Sequence, residues 1–111
     1  MIETVTGVFA GVLILVGILG FLIPPAKALT SGAPAYNIFH LFFGALGGAI
    51  ALWGNDGSMR AFLIGFGVID LYQAVASRQN WFPKAQFKWK PVDDVLHVVV
   101  GLALVVVGIA G

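Results

Sequence analysis

The sequence predicts an all-α membrane protein: four transmembrane helices in an up-down bundle built from two duplicated helical hairpins. Three observations lead there. The chain of 111 residues is 59% hydrophobic and only 10% charged, whereas a soluble domain carries about 25% charged residues. Its apolar residues fall into four runs, each near the ~20 residues that cross a bilayer as helix. The second half of the chain restates the first at a nearly constant offset.

The first run covers residues 4–23 and ends at Pro24-Pro25. It opens Met1-Ile2-Glu3 with no basic segment, and it is longer than the apolar core of a signal peptide, so it reads as a retained helix. The second covers residues 36–53, the third 59–76 and the fourth 92–110. Within lipid a helix satisfies its own backbone polar groups, which makes helix the default for each. One transmembrane domain, 1–111, results, with hairpin repeats at about 4–54 and 59–110.

The connections differ. Residues 24–35, rich in Pro, Gly and Ala, read as an irregular loop, and "GNDGS" at 54–58 as a tight turn. Residues 77–91 are the longest and most polar, with Trp81, Phe82, Phe87 and Trp89 interleaved among Arg78, Lys84, Lys88 and Lys90. Rings at headgroup depth beside ammonium groups suit a segment lying at the membrane surface. Those four basic residues and Lys27 lie in the first and third loops, against Arg60 alone on the other side. The bias puts loops 24–35 and 77–91 in the cytoplasm and both termini on the opposite side of the membrane. With a net charge of +1 nothing points to nucleic acid, and the absence of cysteine excludes disulfides, thiol catalysis and zinc–thiolate sites.

The repeat is sharpest around the two histidines. Asn37, His40 and Gly44 recur 57 positions later as Asp94, His97 and Gly101. The first and third helices align at 56, pairing Gly11-Val12-Leu13 with Gly67-Val68-Ile69. Because each unit holds an even number of spans, the copies face the same way about an axis along the membrane normal. His40 and His97 then lie at equal depth on diagonal helices. Asn37 and Asp94 fall where N-caps belong, with histidine in the capping-box position. A further polar pair, Asp70 and Gln73, stands in the third helix where the first has Ile14 and Gly17. An ionisable residue inside a span costs at least ~2.5 kcal/mol and turns to a partner or to water. His40, His97, Asp70, Asn37, Asp94 and Gln73 are therefore the candidate polar-core or ligand site, with Tyr72 a neighbour on another face.

These residues resemble a family of small bacterial four-helix membrane proteins of no established activity. The matching elements are Gly20-Phe21 with Pro24, Asn37–His40–Gly44–Gly47, Gly65 and Gly67 with Ala74, and Asp93–Leu96–His97–Gly101. The resemblance implies a fold and a topology but no reaction. Asp70 departs from it, standing where the pattern has an apolar or aromatic residue.

Three functions compete. The first is a non-enzymatic structural or accessory role, assembling with itself or a larger complex in the lipid bilayer. Gly7–Gly11 and Gly44–Gly48 form GxxxG spacings, and with Gly101 they are the candidate packing glycines. The second is haem or chlorophyll-type pigment ligation by His40 and His97, neutral imidazole being a standard haem ligand. No other cofactor is expected, and the sequence leaves a metal unspecified. The third is an oligomeric proton or cation pathway using Asp70 and the histidines. No nucleophile elbow, HExxH or phosphate loop supports an enzyme.

Overall fold

The computed structural model describes residues 1–24 and 26–111. Four long helices, α1 (Ile2–Leu22), α2 (Pro34–Trp53), α3 (Asp56–Gln79) and α5 (Pro91–Ala110), are joined in order, with a one-turn helix, α4 (Lys84–Phe87), inside the third loop. All four long helices have the length and apolarity needed to cross a membrane. At 1.5 Å per residue, 20 residues reach about 30 Å, the thickness of the hydrocarbon core.

Local signals set the ends. α1 stops at Leu22, and Ile23 is extended as the residue before proline must be. Pro34 and Pro91 occupy the first turns of α2 and α5, where a missing N–H costs nothing. The turn between α2 and α3 is shorter than "GNDGS" suggests. Asp56, Gly57 and Ser58 already belong to α3, closed by a capping box in which Ser58 N–H donates to Asn55 Oδ1 and Asn55 N–H to Ser58 Oγ, both at 2.8 Å. At the other end α3 runs on to Gln79 and stops at Asn80, which takes the left-handed conformation that asparagine tolerates.

The predicted caps are corrected. Helix begins three residues before Asn37 and Asp94, at Pro34 and Pro91, so the N-cap residues are Ala33 and Lys90. Asp93 takes up the orphan donors instead: its Oδ2 accepts the N–H groups of Lys90 and Ser31, each at 2.8 Å. The prolines carried this signal, and the short polar side chains drew attention from it.

α1 packs along α2, and α3 along α5, with α3 also meeting α1 and α2. The closest approaches occur at glycine. A Cβ on Gly44 would lie 2.6 Å from Ile14 Cγ1 and 3.1 Å from the Ala10 carbonyl oxygen; one on Gly101 would lie 2.9 Å from the Gly67 carbonyl oxygen. These contacts are equivalent, since Ala10 and Gly67 are 57 apart, as are Gly44 and Gly101.

That register corrects the offset of 56 for the odd helices. The buried face of α1 is Ile2, Thr6, Ala10, Leu13 and Gly17. Adding 57 gives Met59, Leu63, Gly67, Asp70 and Ala74, all buried in α3. One offset relates the whole chain, and the counterparts of Asp70 and Gln73 are Leu13 and Val16, not Ile14 and Gly17. The run Gly-Val-Leu matches Gly-Val-Ile by letters alone, because apolar helices align easily; the packed faces decide.

Candidate functional site

A cavity of about 220 Å³ lies where the two hairpins meet, at the end closed by the first and third loops. Eight of its thirteen lining residues form pairs related by the 57-residue repeat: Phe9 with Phe66, Leu13 with Asp70, Tyr36 with Asp93, His40 with His97. The cavity therefore straddles the pseudo-two-fold axis. His40, His97 and Asp70 all line it.

Tyr36 sits between the imidazoles. Its hydroxyl shares a 2.6 Å hydrogen bond with Nε2 of His97, and its ring centroid is 4.2 Å from that of His40. Phe87 packs on the other side of the Tyr36 ring at 5.1 Å. Nδ1 of His40 and Nδ1 of His97 are buried and have no hydrogen-bond partner. Buried polar atoms are paired in the great majority of proteins, and these two imidazole nitrogens depart from that rule.

The remaining predicted residues separate. Gln73 lies behind Asp70, donating to Asp70 Oδ1 at 3.3 Å and accepting from Trp89 Nε1 at 3.1 Å. Asn37 is buried against α1, donating to the Gly32 carbonyl at 3.1 Å; a Cβ on Gly20 would come within 2.0 Å of its Oδ1. Asp94 turns away from the cavity to an outer groove, where its Oδ2 is 3.5 Å from Nε of the exposed Arg78. Tyr72 faces outward and donates to the Phe82 carbonyl at 2.7 Å. Thus the Asn37–Asp94 pair is not part of the site, while Tyr36 and Asp93, each one position earlier, are. The same offset relates them, and reading the repeat one residue further back would have found them.

The packing glycines also divide. Gly44 and Gly101 serve their own hairpins, and Gly7 faces Ala51. Gly11 and Gly48 have no neighbour within 4 Å of the Cβ position.

The loops form a lid fastened at several points. Ser31 donates its N–H to Asp93 and its hydroxyl to the Phe87 carbonyl. Lys90 Nζ donates to the Ala28 carbonyl at 2.6 Å, and Lys84 Nζ to Ser77 Oγ at 3.0 Å. Trp89, buried, stands edge-on to His97 with centroids 6.4 Å apart. At the opposite end Arg60 donates to the carbonyls of Gly108 and Gly111 at 3.2 and 2.7 Å, complementing the C-terminal end of α5.

Among the described residues no group of three or more His, Cys, Asp or Glu side chains is placed to hold a metal ion. No protein-family model, curated protein or solved structure matches the chain.

Proposed function

We propose that the chain is a non-enzymatic integral membrane protein that holds a small cationic guest in the chamber between its hairpins. The observation that carries this reading is Asp70. Its counterpart, Leu13, fills the equivalent place with hydrocarbon, so the fold does not require a carboxyl there. An acidic side chain inside a span, facing a cavity with His40, His97 and Tyr36, suits binding better than packing.

Haem or pigment ligation finds less support. The Tyr36 hydroxyl engages Nε2 of His97, and about 220 Å³ falls below the roughly 300–1,000 Å³ of ordinary ligand pockets. An accessory role by self-assembly has one specific support: Gly11, Gly48 and Gly65 leave open space at the Cβ position, which lets another helix approach closely. The basic loops, in this reading, face the cytoplasm.

The test is Asp70→Leu, which grafts the residue of the first hairpin onto the second. The bond it removes is a long one, 3.3 Å from Gln73. Gln73, buried, loses the acceptor of its amide, so thermal unfolding in mild detergent is expected to lose no more than about 1–3 kcal/mol, the cost of one unsatisfied buried polar group. A loss clearly above that range would make Asp70 a structural tie between helices and overturn the reading.

A further inference from the structure

The two hairpins do not close the chamber equally. By the pseudo-symmetry, the seam between α2 and α3 is equivalent to the seam between α5 and α1. In the first, Phe39 and Phe43 pack on Phe66, with ring centroids 5.7 and 5.2 Å apart. Their counterparts on α5 are Leu96 and Val100, and the counterpart of Phe66 on α1 is Phe9. Two phenyl rings are thus replaced by two smaller side chains, and α1 and α5 touch only sparsely. The cavity is lined at this seam by Val12, Val16, Leu96 and Val100. Val12 is 46% exposed and Leu96 43%, while the walls on α2 and α3 are buried. In a bilayer this seam faces acyl chains, not water.

The chemistry inside is that of an organic cation site. The ionisable walls are Asp70, Asp93, Tyr36 and the two histidines, with no lysine or arginine among the lining residues. Most of the surface is carbon, including Phe9 and Phe66, whose centroids are 5.3 Å apart. A calcium-like cation demands about six or more oxygen ligands, and among the described residues no three His, Cys, Asp or Glu side chains are placed to share a softer metal. A primary ammonium needs less: a carboxylate, a lone pair or two, and aromatic faces within about 6 Å. His40 and His97, 8% and 6% exposed, add two imidazole rings to the same lining. At about 30 Å³ per water-sized group, the space of about 220 Å³ holds roughly seven, enough for a head and the first carbons of a chain.

We propose that the chamber takes the ammonium head of an alkylamine dissolved in the bilayer, seated by Asp70 and the aromatic walls, with the apolar tail leaving between α1 and α5. This rests on the cation-site reading above and names both the guest and its route. The amine could be a membrane lipid component or a lipophilic amine from outside; the shared chemistry is the alkylammonium.

The test uses the full chain in nanodiscs, with Trp53→Phe and Trp81→Phe so that Trp89, beside His97, reports. Octylammonium, octanol, octyl sulfate and tetramethylammonium are titrated in turn. Octylammonium is expected to change Trp89 emission saturably, at least ten-fold below the concentration at which octanol or octyl sulfate does so. Asp70→Asn should weaken it at least ten-fold. Val100→Phe, rebuilding the ring that Phe43 supplies in the other seam, should do the same, with Leu96→Phe as a second closure should the first unfold. The proposal falls if octanol binds as well as octylammonium, or if Asp70→Asn changes nothing. It falls equally if tetramethylammonium binds as tightly and both phenylalanine variants are silent, for then the guest comes from water. Failure here with Asp70→Leu still stable would leave a site for a different cation; failure with Asp70→Leu destabilised would remove the site itself.

Discussion

The hydroxyl of Tyr36 and Nε2 of His97 stand 2.6 Å apart, joining the start of α2 to α5 across the pseudo-two-fold axis. Both residues are buried, and the bond is a polar tie between the two hairpins. Tyr36→Phe keeps the ring and its contacts with His40 and Phe87 but leaves the imidazole nitrogen without its partner. A buried polar atom left unsatisfied costs about 1–3 kcal/mol. Unfolding in detergent should register a loss of that size, and wild-type stability in Tyr36→Phe would show that the bond carries no net weight.

Much of this was legible beforehand, for physical reasons. Four apolar runs of bilayer length leave helix as the only economical backbone, and the 57-residue echo of His40 in His97 is enough to bring two helices to equal depth. The helix starts misled because Asn37 and Asp94 look like caps, while Pro34 and Pro91, equally spaced, mark the true first turns. Asp93 stands in the fourth-helix motif, but neither it nor Tyr36 reads as a site residue, because the repeat pairs an aromatic with a carboxylate, which no similarity of letters suggests. The open seam between α1 and α5 depends on Leu96 and Val100 being smaller than Phe39 and Phe43. That difference is written in the sequence, but it gains meaning only once the seams are known to be equivalent.

The glycines of α2 and α5 give a contrast. At Gly101 an added methyl would meet the Gly67 carbonyl oxygen at 2.9 Å, and backbone cannot step aside cheaply. Overpacking of this kind costs about 1–3 kcal/mol. At Gly48 nothing lies within 4 Å, and alanine in a helix interior is favoured over glycine by about 1 kcal/mol. Gly101→Ala is therefore expected to destabilise and Gly48→Ala to be neutral or stabilising in the monomer. Equal effects at the two positions would contradict the hairpin packing.

Asp93 holds the lid. Its Oδ2 accepts from the backbone of both loops, at Ser31 and at Lys90. Asp93→Ala removes the shared acceptor of both bonds at once and leaves the first loop tied by the Ser31 hydroxyl to Phe87 and by Lys90 to the Ala28 carbonyl. Amide hydrogen exchange at Ser31 and Lys90 should quicken by more than ten-fold, about the effect of 1.4 kcal/mol on local opening, while amides in the middle of α3 stay protected. Uniform acceleration through α3 would mean that Asp93 supports the whole bundle instead of its lid.

Orientation has its own test, made simple by a chain without cysteine. The first and third loops are bonded to each other, so Lys27, Lys84, Lys88 and Lys90 lie at one end of the bundle, and Arg60 lies at the other. A basic excess at one end keeps that end on the cytoplasmic side during insertion. Lys88→Cys should react with a membrane-impermeant maleimide in inside-out vesicles and stay unlabelled in intact cells. A cysteine replacing Asp56, exposed at the opposite end, should show the reverse pattern. Labelling of Lys88→Cys from outside would invert the protein in its membrane and put the chamber near the external face. The alkylammonium head would then be drawn from the outer leaflet, because the cavity lies at the loop end whichever way the chain inserts.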